Sequence, residues 1–270
     1  MAKGTAVFGS LGAFALGTTN DGQIIGFDND PIKNLVFWGD VNAVPTTGSI
    51  SGNTNLARNM DAADVATVSS GTETLIATSG GEDDAAPIHV WRKNGPTSAT
   101  QVTLVGGAAG NLGCKAGATI SDDGQWLIGC GAVSSPHNGI HVFRNGTGGA
   151  LASYNWTYQG NVDTEVAYAD VAVDATNDVG FGLKVSSTTV PGITLFRLST
   201  LVTISFTPIN IASAGFATVG VSRGGIDVDK TKKRIYFELR APTDGSATAF
   251  FGRYDYSLQL TAASDWQLYQ

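Results

Sequence analysis

Two cysteines and three histidines in 270 residues cannot build a disulfide-dense scaffold. Cys114, Cys130, His89, His137 and His141 also fall at no spacing that matches a zinc-ligand motif. Charge is equally thin, at 14% of residues, and positive charge is the scarcer sign: 16 Lys and Arg stand against 23 Asp and Glu, for a net charge of −7. A surface with that balance repels phosphate backbones, which argues against a nucleic-acid partner. The largest basic grouping, Lys230, Lys232, Lys233 and Arg234, sits at a turn and strand start and reads as solvated. No apolar run approaches the roughly 18 residues of a membrane-crossing helix, so no membrane insertion is expected. Neither a Ser/His/Asp arrangement nor a phosphate-cradling glycine loop is present. Together these absences expect no cofactor and no metal, and they lean away from an enzyme.

What the chain has in abundance is glycine, 35 residues, with aromatics at 9%. That mixture suits short strands joined by tight turns rather than helices built on Glu, Lys and Leu. The stretch GATISDDGQWLIGCGAVSSPHNGIHVF, from Gly117 to Phe143, shows the pattern: two strands around Asp123-Gly124, a loop holding Pro136 and Gly139, then a third strand. The same pattern recurs from Gly12 to Trp38, Ala63 to Trp91, Ala169 to Phe196 and Gly225 to Phe251.

Three landmarks share one period. The apolar residue after the first turn falls at Ile24, Leu75 and Leu127, and near Gly180 and Ile235. The aromatic that closes the third strand falls at Trp38, Trp91, Phe143 and Phe196, spaced 53, 52 and 53 residues apart, with Phe251 or Tyr254 in the last copy. A proline precedes the third strand each time: Pro31, Pro87, Pro136, Pro191 and Pro242.

In the second unit the four strands are expected at 65–68, 74–78, 88–91 and 101–105, and in the third at 118–121, 126–130, 140–143 and 155–158. Asn94-Gly95 and Asn145-Gly146 are expected to reverse the chain before each fourth strand. A four-stranded meander repeated radially is a propeller blade, and no blade can bury its apolar faces alone. The expected fold is therefore all-β, a five-bladed β-propeller of four-stranded antiparallel blades. It forms a single domain over 1–270, with units at approximately 10–60, 61–113, 114–164, 165–220 and 221–270. The N-terminal MAKGTAVFGSLGAFALG reads as the entry to the first repeat rather than as a signal peptide.

The run ISDDGQWLIGCGA, followed by NGIHVFRNG, resembles the FG-GAP-type propeller repeat, in which a D-G turn precedes an "xxAVGAP" strand and a "GxVYVF" strand. The resemblance covers most of units two to four. It implies a propeller fold; the acidic calcium loop common in that family is missing, the corresponding loops being SGGEDDAAP, GAVSSPHNG and KVSSTTVPG.

Candidate binding residues lie on one loop face. Glu82, Asp83 and Asp84 form the densest acidic run, readable as oxygen donors for a cation or as a solvated turn. His137 is the one histidine without a repeat partner, since His89 and His141 occupy equivalent strand positions and read as structural. Asp61, Asp64, Glu165, Asp170 and Asp227 fall near the innermost strands, where propeller glycosidases gather carboxylates. They share no register, and aromatic neighbours for a sugar ring are not evident. Cys114 and Cys130 flank the Asp123-Gly124 hairpin, either bridged or as two buried thiols.

The functional expectation is a non-enzymatic structural or binding module of a surface assembly. Its most specific form is a viral (phage) virion appendage or decoration protein contacting the host, located on the virion surface or extracellularly. Its partners would be other structural proteins of the assembly, or surface glycans. The alternatives are a glycan-binding lectin and, third, a glycoside hydrolase. The ring is expected to close with Trp266–Tyr269 as the last fourth strand, Ala13–Leu16 as the first inner strand, and Thr5–Phe8 as an added clasp.

Overall fold

The computed structural model describes residues 13–18, 23–28, 36–40, 46–47, 49–51, 65–70, 73–78, 88–95, 98–102, 104–105, 117–131, 139–145, 156–163, 167–184, 193–204, 225–240, 249–256 and 266–269. Nearly all of these lie in strands or the turns between them, and the one helical element among the described residues is a 3-10 turn at Ala175–Asn177.

The first sheet runs β1 (Ala13–Thr18), β2 (Gln23–Asp28), β3 (Val36–Asp40) and β4 (Thr46–Thr47). The short β5 (Ser49–Ser51) precedes the second set, β6 (Val65–Ser70), β7 (Glu73–Thr78), β8 (His89–Gly95) and β9 (Ser98–Gln101). Next come β10 (Leu104–Val105), then β11 (Gly117–Ile120), β12 (Trp126–Gly131), β13 (Gly139–Asn145) and β14 (Trp156–Val162). The fourth sheet is β15 (Tyr168–Asp174), β16 (Val179–Lys184), β17 (Ile193–Arg197) and β18 (Thr203–Ile204). The fifth is β19 (Ile226–Asp229), β20 (Arg234–Arg240), β21 (Ala249–Asp255) and β22 (Trp266–Tyr269). In each sheet four strands form an antiparallel meander in chain order, as expected. The first strands of successive sheets lie side by side, β1 by β6, β6 by β11, β11 by β15 and β15 by β19. That is the radial packing of a β-propeller.

Two details depart from the expected strands. The fourth strand of the second sheet is Ser98–Gln101, not 101–105. A register shift between Lys93 and Gly95 lets β8 run on to pair Gly95 with Ser98, so the reversal falls after Asn94-Gly95. Leu104–Val105 crosses instead to the third sheet and pairs in parallel with Trp156 and Thr157, and Ser49–Ser51 does the same on the second. These crossings staple one sheet to the outer edge of the next. The second departure concerns the apolar landmark. Phe143 pairs with Leu127, but Trp91 pairs with Ile76 and Trp38 with Ile25, each one residue beyond Leu75 and Ile24. The first hairpins hold the same register, Val68 opposite Leu75 and Ile120 opposite Leu127, so the slip lies in the pairing of β8 with β7. A one-residue slip moves a side chain to the other face.

The Asp123-Gly124 turn is built by its own side chains. The Asp123 carboxylate accepts from the Ser121 hydroxyl and from the Gln125 N–H at 3.0 Å, and Ser121 Oγ accepts from the Trp126 N–H at 2.8 Å. Gly124 turns at φ 65°, a value that favours glycine.

Among the described residues, three apolar seams join the sheets. Between sheets two and three pack Leu75, Ala77 and Val90 against Ile120, Leu127, Phe143 and Trp156. Between three and four lie Ile128, Cys130, Ile140 and Val142 against Tyr168, Val171, Val173 and Phe196. Between four and five lie Phe181, Leu183, Ile193 and Leu195 against Ile226, Ile235, Phe237 and Tyr254. Each fully buried ring removes roughly 150–250 Å² from water, worth at most about 4–6 kcal/mol at ~25 cal/mol per Å². Glycine makes room for two of these rings. Phe196 pairs across the strands with Gly180, and Phe237 with Gly252. A Cβ at Gly180 would come within 2.2 Å of the Phe196 ring, and one at Gly252 within 2.0 Å of the Phe237 ring.

Trp266–Tyr269 is the fourth strand of the last sheet and Ala13–Thr18 the first of the first sheet, as expected. Thr5–Phe8, the expected clasp, lies outside the described residues.

Candidate functional site

The strands β11, β15 and β19 present their edges to a common space, and between them lies a cavity of about 700 Å³. Its walls are the inner strands of sheets three, four and five. Its polar lining comes chiefly from Asp122, Thr119, Asp170, Asp227, Asp229 and Lys230. Two of the carboxylates singled out in the sequence, Asp170 and Asp227, line this one cavity; Asp61, Asp64 and Glu165 lie outside the described residues.

Asp170 is half-buried and acts on backbone. Its Oδ1 accepts the Val171 N–H at 2.8 Å and its Oδ2 accepts the Ile226 N–H at 2.8 Å, so it ties the inner strand of sheet four to that of sheet five. Gly117 of sheet three lies close against it: a Cβ there would fall 2.6 Å from Oδ1 and 2.7 Å from the Asp170 Cα. One carboxylate thus touches all three walls. Asp227 is exposed, and its Oδ1 accepts the Val228 N–H at 2.7 Å.

The turn end of the cavity is bounded by ion pairs. Lys230 Nζ reaches Asp122 Oδ2 at 2.5 Å, linking the β11–β12 turn to the β19–β20 turn across the cavity mouth. Asp229 accepts the Lys232 N–H at 3.0 Å and its ammonium at 3.2 Å, which hold its carboxyl below the usual range. Arg234 Nε meets Asp255 Oδ2 at 3.2 Å, which holds the guanidinium proton more tightly still. The basic grouping read as solvated also forms ion pairs: Lys230, Lys232 and Arg234 each face a carboxylate, and Lys232 stays exposed. The Asp229–Lys232 pair was legible in its spacing of three. The other two pairs were not, because they join residues that only the fold brings together.

Two buried tyrosines lock neighbouring sheets. The Tyr168 hydroxyl lies 2.8 Å from Asp163 Oδ2 and 2.7 Å from Thr194 Oγ1, and Lys184 Nζ reaches the same Asp163 oxygen at 3.1 Å. The Tyr256 hydroxyl donates to Asp174 Oδ2 at 2.5 Å, and Asp174 also accepts from the Asn177 side chain at 2.7 Å. Burial, reinforced by these carboxylates, pushes both phenols far above their ordinary value.

Of the other residues singled out in the sequence, Glu82, Asp83, Asp84, His137 and Cys114 lie outside the described residues. His141 is buried, with Nδ1 3.4 Å from the Tyr158 hydroxyl, which fits the structural role read for it. Cys130 is buried too; its thiol points at the Tyr168 carbonyl at 3.7 Å, and the residue directly opposite it on β11 is Gly117. No grouping of three or more potential metal ligands occurs among the described residues, and no helix among them is long and apolar enough to cross a membrane.

The sequence matches no family model and no curated protein. Solved structures do resemble it in shape. Hydrazine synthase of Kuenenia stuttgartiensis superposes with a TM-score of 0.62 at 10% identity, over 96% of this chain and 65% of that one. The Aleuria aurantia lectin, in complex with α-methyl-L-fucoside, gives 0.56 at 12% identity, over 94% of this chain and 75% of that one. A catalytically inactive virginiamycin B lyase from Staphylococcus aureus, with quinupristin, gives 0.56 at 10% identity, over 96% and 70%. The chain thus spans about two thirds of the hydrazine synthase chain it matches. At such identities the likeness speaks for fold alone, and the fold it establishes is of the β-propeller type.

Proposed function

We propose that this chain is a single five-bladed propeller serving as a non-enzymatic binding module, displayed on a surface assembly such as a virion, with surface glycans as its ligands. The observation that carries the reading is how the cavity's carboxylates are used. Asp170 holds two backbone N–H groups, Asp229 a turn and an ammonium, and Asp122 another ammonium. A glycoside hydrolase needs one carboxyl kept protonated in apolar surroundings and a second poised across the sugar. Here Asp227, which faces solvent, is the one lining carboxylate not tied to another sheet or to a cation in the bonds described. A polar cavity of this volume, open to water and lined by fixed hydrogen-bonding groups, suits recognition of a hydroxyl-rich ligand. The shared fold with a lectin seen holding a fucoside supports the same choice of ligand class.

The test is a glycan array probed with the purified chain, run beside a hydrolysis assay on the glycans retained. Retention without cleavage is the expected result. Release of sugar would replace the reading with the hydrolase, and no retention would remove glycans as ligands. Mass spectrometry of purified particles carrying this chain tests the assembly: copies present among virion structural proteins support it, and recovery as a soluble monomer opposes it.

A further inference from the structure

The cavity between sheets three, four and five is walled by strand edges, and the ladders fix which backbone groups face it. In an antiparallel pair, alternate residues turn both N–H and C=O toward the partner strand, and the residues between them turn both away. On β11 the Ser121 N–H donates to the Trp126 carbonyl, so Ser121 and Thr119 face β12 while Ala118 and Ile120 turn away. On β15 the Val171 N–H goes to the Asp170 carboxylate and not to β16, so Val171 and Val173 turn outward. On β19 the Ile226 and Val228 N–H groups go to Asp170 and Asp227, so both residues turn away from β20. All six of these outward-turned residues line the cavity.

The bonds at these edges consume donors and leave acceptors. Asp170 and Asp227 take the N–H groups of Val171, Ile226 and Val228. The carbonyls of Ile120, Val171, Val173, Ile226 and Val228 turn into the cavity, and no hydrogen bond among the described residues ends on them. Asp227 adds a further acceptor: its Oδ1 holds the Val228 N–H at 2.7 Å, which turns the carboxylate toward the cavity and leaves Oδ2 open. Against these stand the inward N–H groups of Ile120 and Val173, and Lys230, whose ammonium is engaged by Asp122 at the turn end. Asp122, Asp170, Asp227 and Asp229 line the cavity against that one ammonium. Among the described residues no three potential metal ligands converge, so this charge is spread along the walls, as suits an organic cation, rather than gathered round a metal ion.

We infer that the cavity seats an amino sugar whose amine is unacylated, with its ammonium against Asp227 and the inner-strand carbonyls. The inference rests on the glycan reading above and narrows its ligand. An ammonium brings three donors and no acceptor, which matches walls where acceptors are in excess. Its hydrogen bond to a carboxylate is charge-assisted, roughly twice as strong as a neutral one. The ring hydroxyls, which donate as well as accept, meet the remaining carbonyls and the side chains of Thr119 and Thr231. An acetamide in place of the amine removes the charge and sets a carbonyl oxygen against a wall of carbonyls. The volume of about 700 Å³ falls within the range of small-ligand sites.

Calorimetric titration of the full chain at about pH 6 with the methyl glycosides of glucosamine, N-acetylglucosamine and glucose tests this directly. The glucosaminide should bind about tenfold or more tightly than the other two. Asp227→Asn should remove most of that preference. Asp227 is exposed, and an Asn oxygen still accepts the Val228 N–H, so the melting midpoint should stay within about a degree or two of wild type. Equal binding of the three glycosides overturns the amine but leaves the glycan-binding module standing. A preference for glucosaminide that survives in Asp227→Asn overturns the cavity as its seat. Butylamine bound as tightly as the glucosaminide shows an amine site with no reading of sugar, and overturns the inference as well. Absence of binding to every glycoside overturns it too, and the glycan array then decides the broader reading.

Discussion

Replacing Asp170 with alanine is the sharpest test of how the propeller holds its centre. The carboxylate makes two hydrogen bonds at 2.8 Å, one to the next residue and one to Ile226, 56 positions away on the neighbouring sheet. Hydrogen bonds to a charged group contribute about 1.5–3 kcal/mol each, and a buried donor left without a partner costs about 1–3 kcal/mol. Val171 is 3% exposed and Ile226 6%, but the carboxylate between them is only half-buried, so water replaces the two bonds in part. A loss of about 3 kcal/mol follows. Unfolding entropy of roughly 2.1 cal/mol/K per residue near 60 °C gives about 0.57 kcal/mol/K for a chain of 270 residues, so the midpoint should fall by about 5 °C. Asp170→Asn should lose about half of this, because an amide presents an oxygen to one N–H and hydrogens to the other. Scanning calorimetry at pH 7 on the three proteins is the assay. A midpoint for Asp170→Ala within one degree of wild type would refute the reasoning and leave apolar packing alone to join sheets four and five.

Gly180→Ala should destabilise by about 1–3 kcal/mol or more, since the new methyl drives the buried Phe196 ring out of its place; denaturant titration reads it, and an unchanged midpoint would show that the ring moves freely. Stability should also fall steeply in alkali. Tyr168 and Tyr256 have folded pKa values raised above the unfolded value of about 10, so their contribution is complete below pH 10 and is lost as pH climbs above it. The slope should approach about 1.4 kcal/mol per pH unit for each tyrosine above pH 10, measured by denaturant midpoints between pH 10 and 12, and Tyr256→Phe should halve it. At neutral pH, Tyr256→Phe should cost about 1.5–3 kcal/mol by removing a donor from the fully buried Asp174, and a loss under about 0.5 kcal/mol would argue against that bond.

The sequence by itself determined the all-β class, the order of strands and the period that arranges them. Those properties are local. Asp123-Gly124 makes its turn with Ser121 and Asp123, residues next to one another in the chain, and alternation along 126–130 needs only the pleat. Phe143 and Phe196, 53 residues apart, make one contact twice, the packing of a third strand against the preceding sheet, and such a repeated contact is visible as a period.

The tertiary structure decided what depends on pairs distant in sequence. That Ile76 rather than Leu75 meets Trp91 follows from the register of β8 on β7, and the crossing of Leu104–Val105 from the geometry of two neighbouring sheets. Asp170 and Asp227 read alike as carboxylates near inner strands. One binds a backbone N–H across a seam and the other faces water, because Asp170 meets Ile226 and Gly117 while Asp227 looks out from the last described seam. The carbonyls that line the cavity carried no signal in the sequence at all, since every residue has one. Which of them turn inward depends on the ladder each inner strand makes, and only the stacking of sheets brings three such edges to one space.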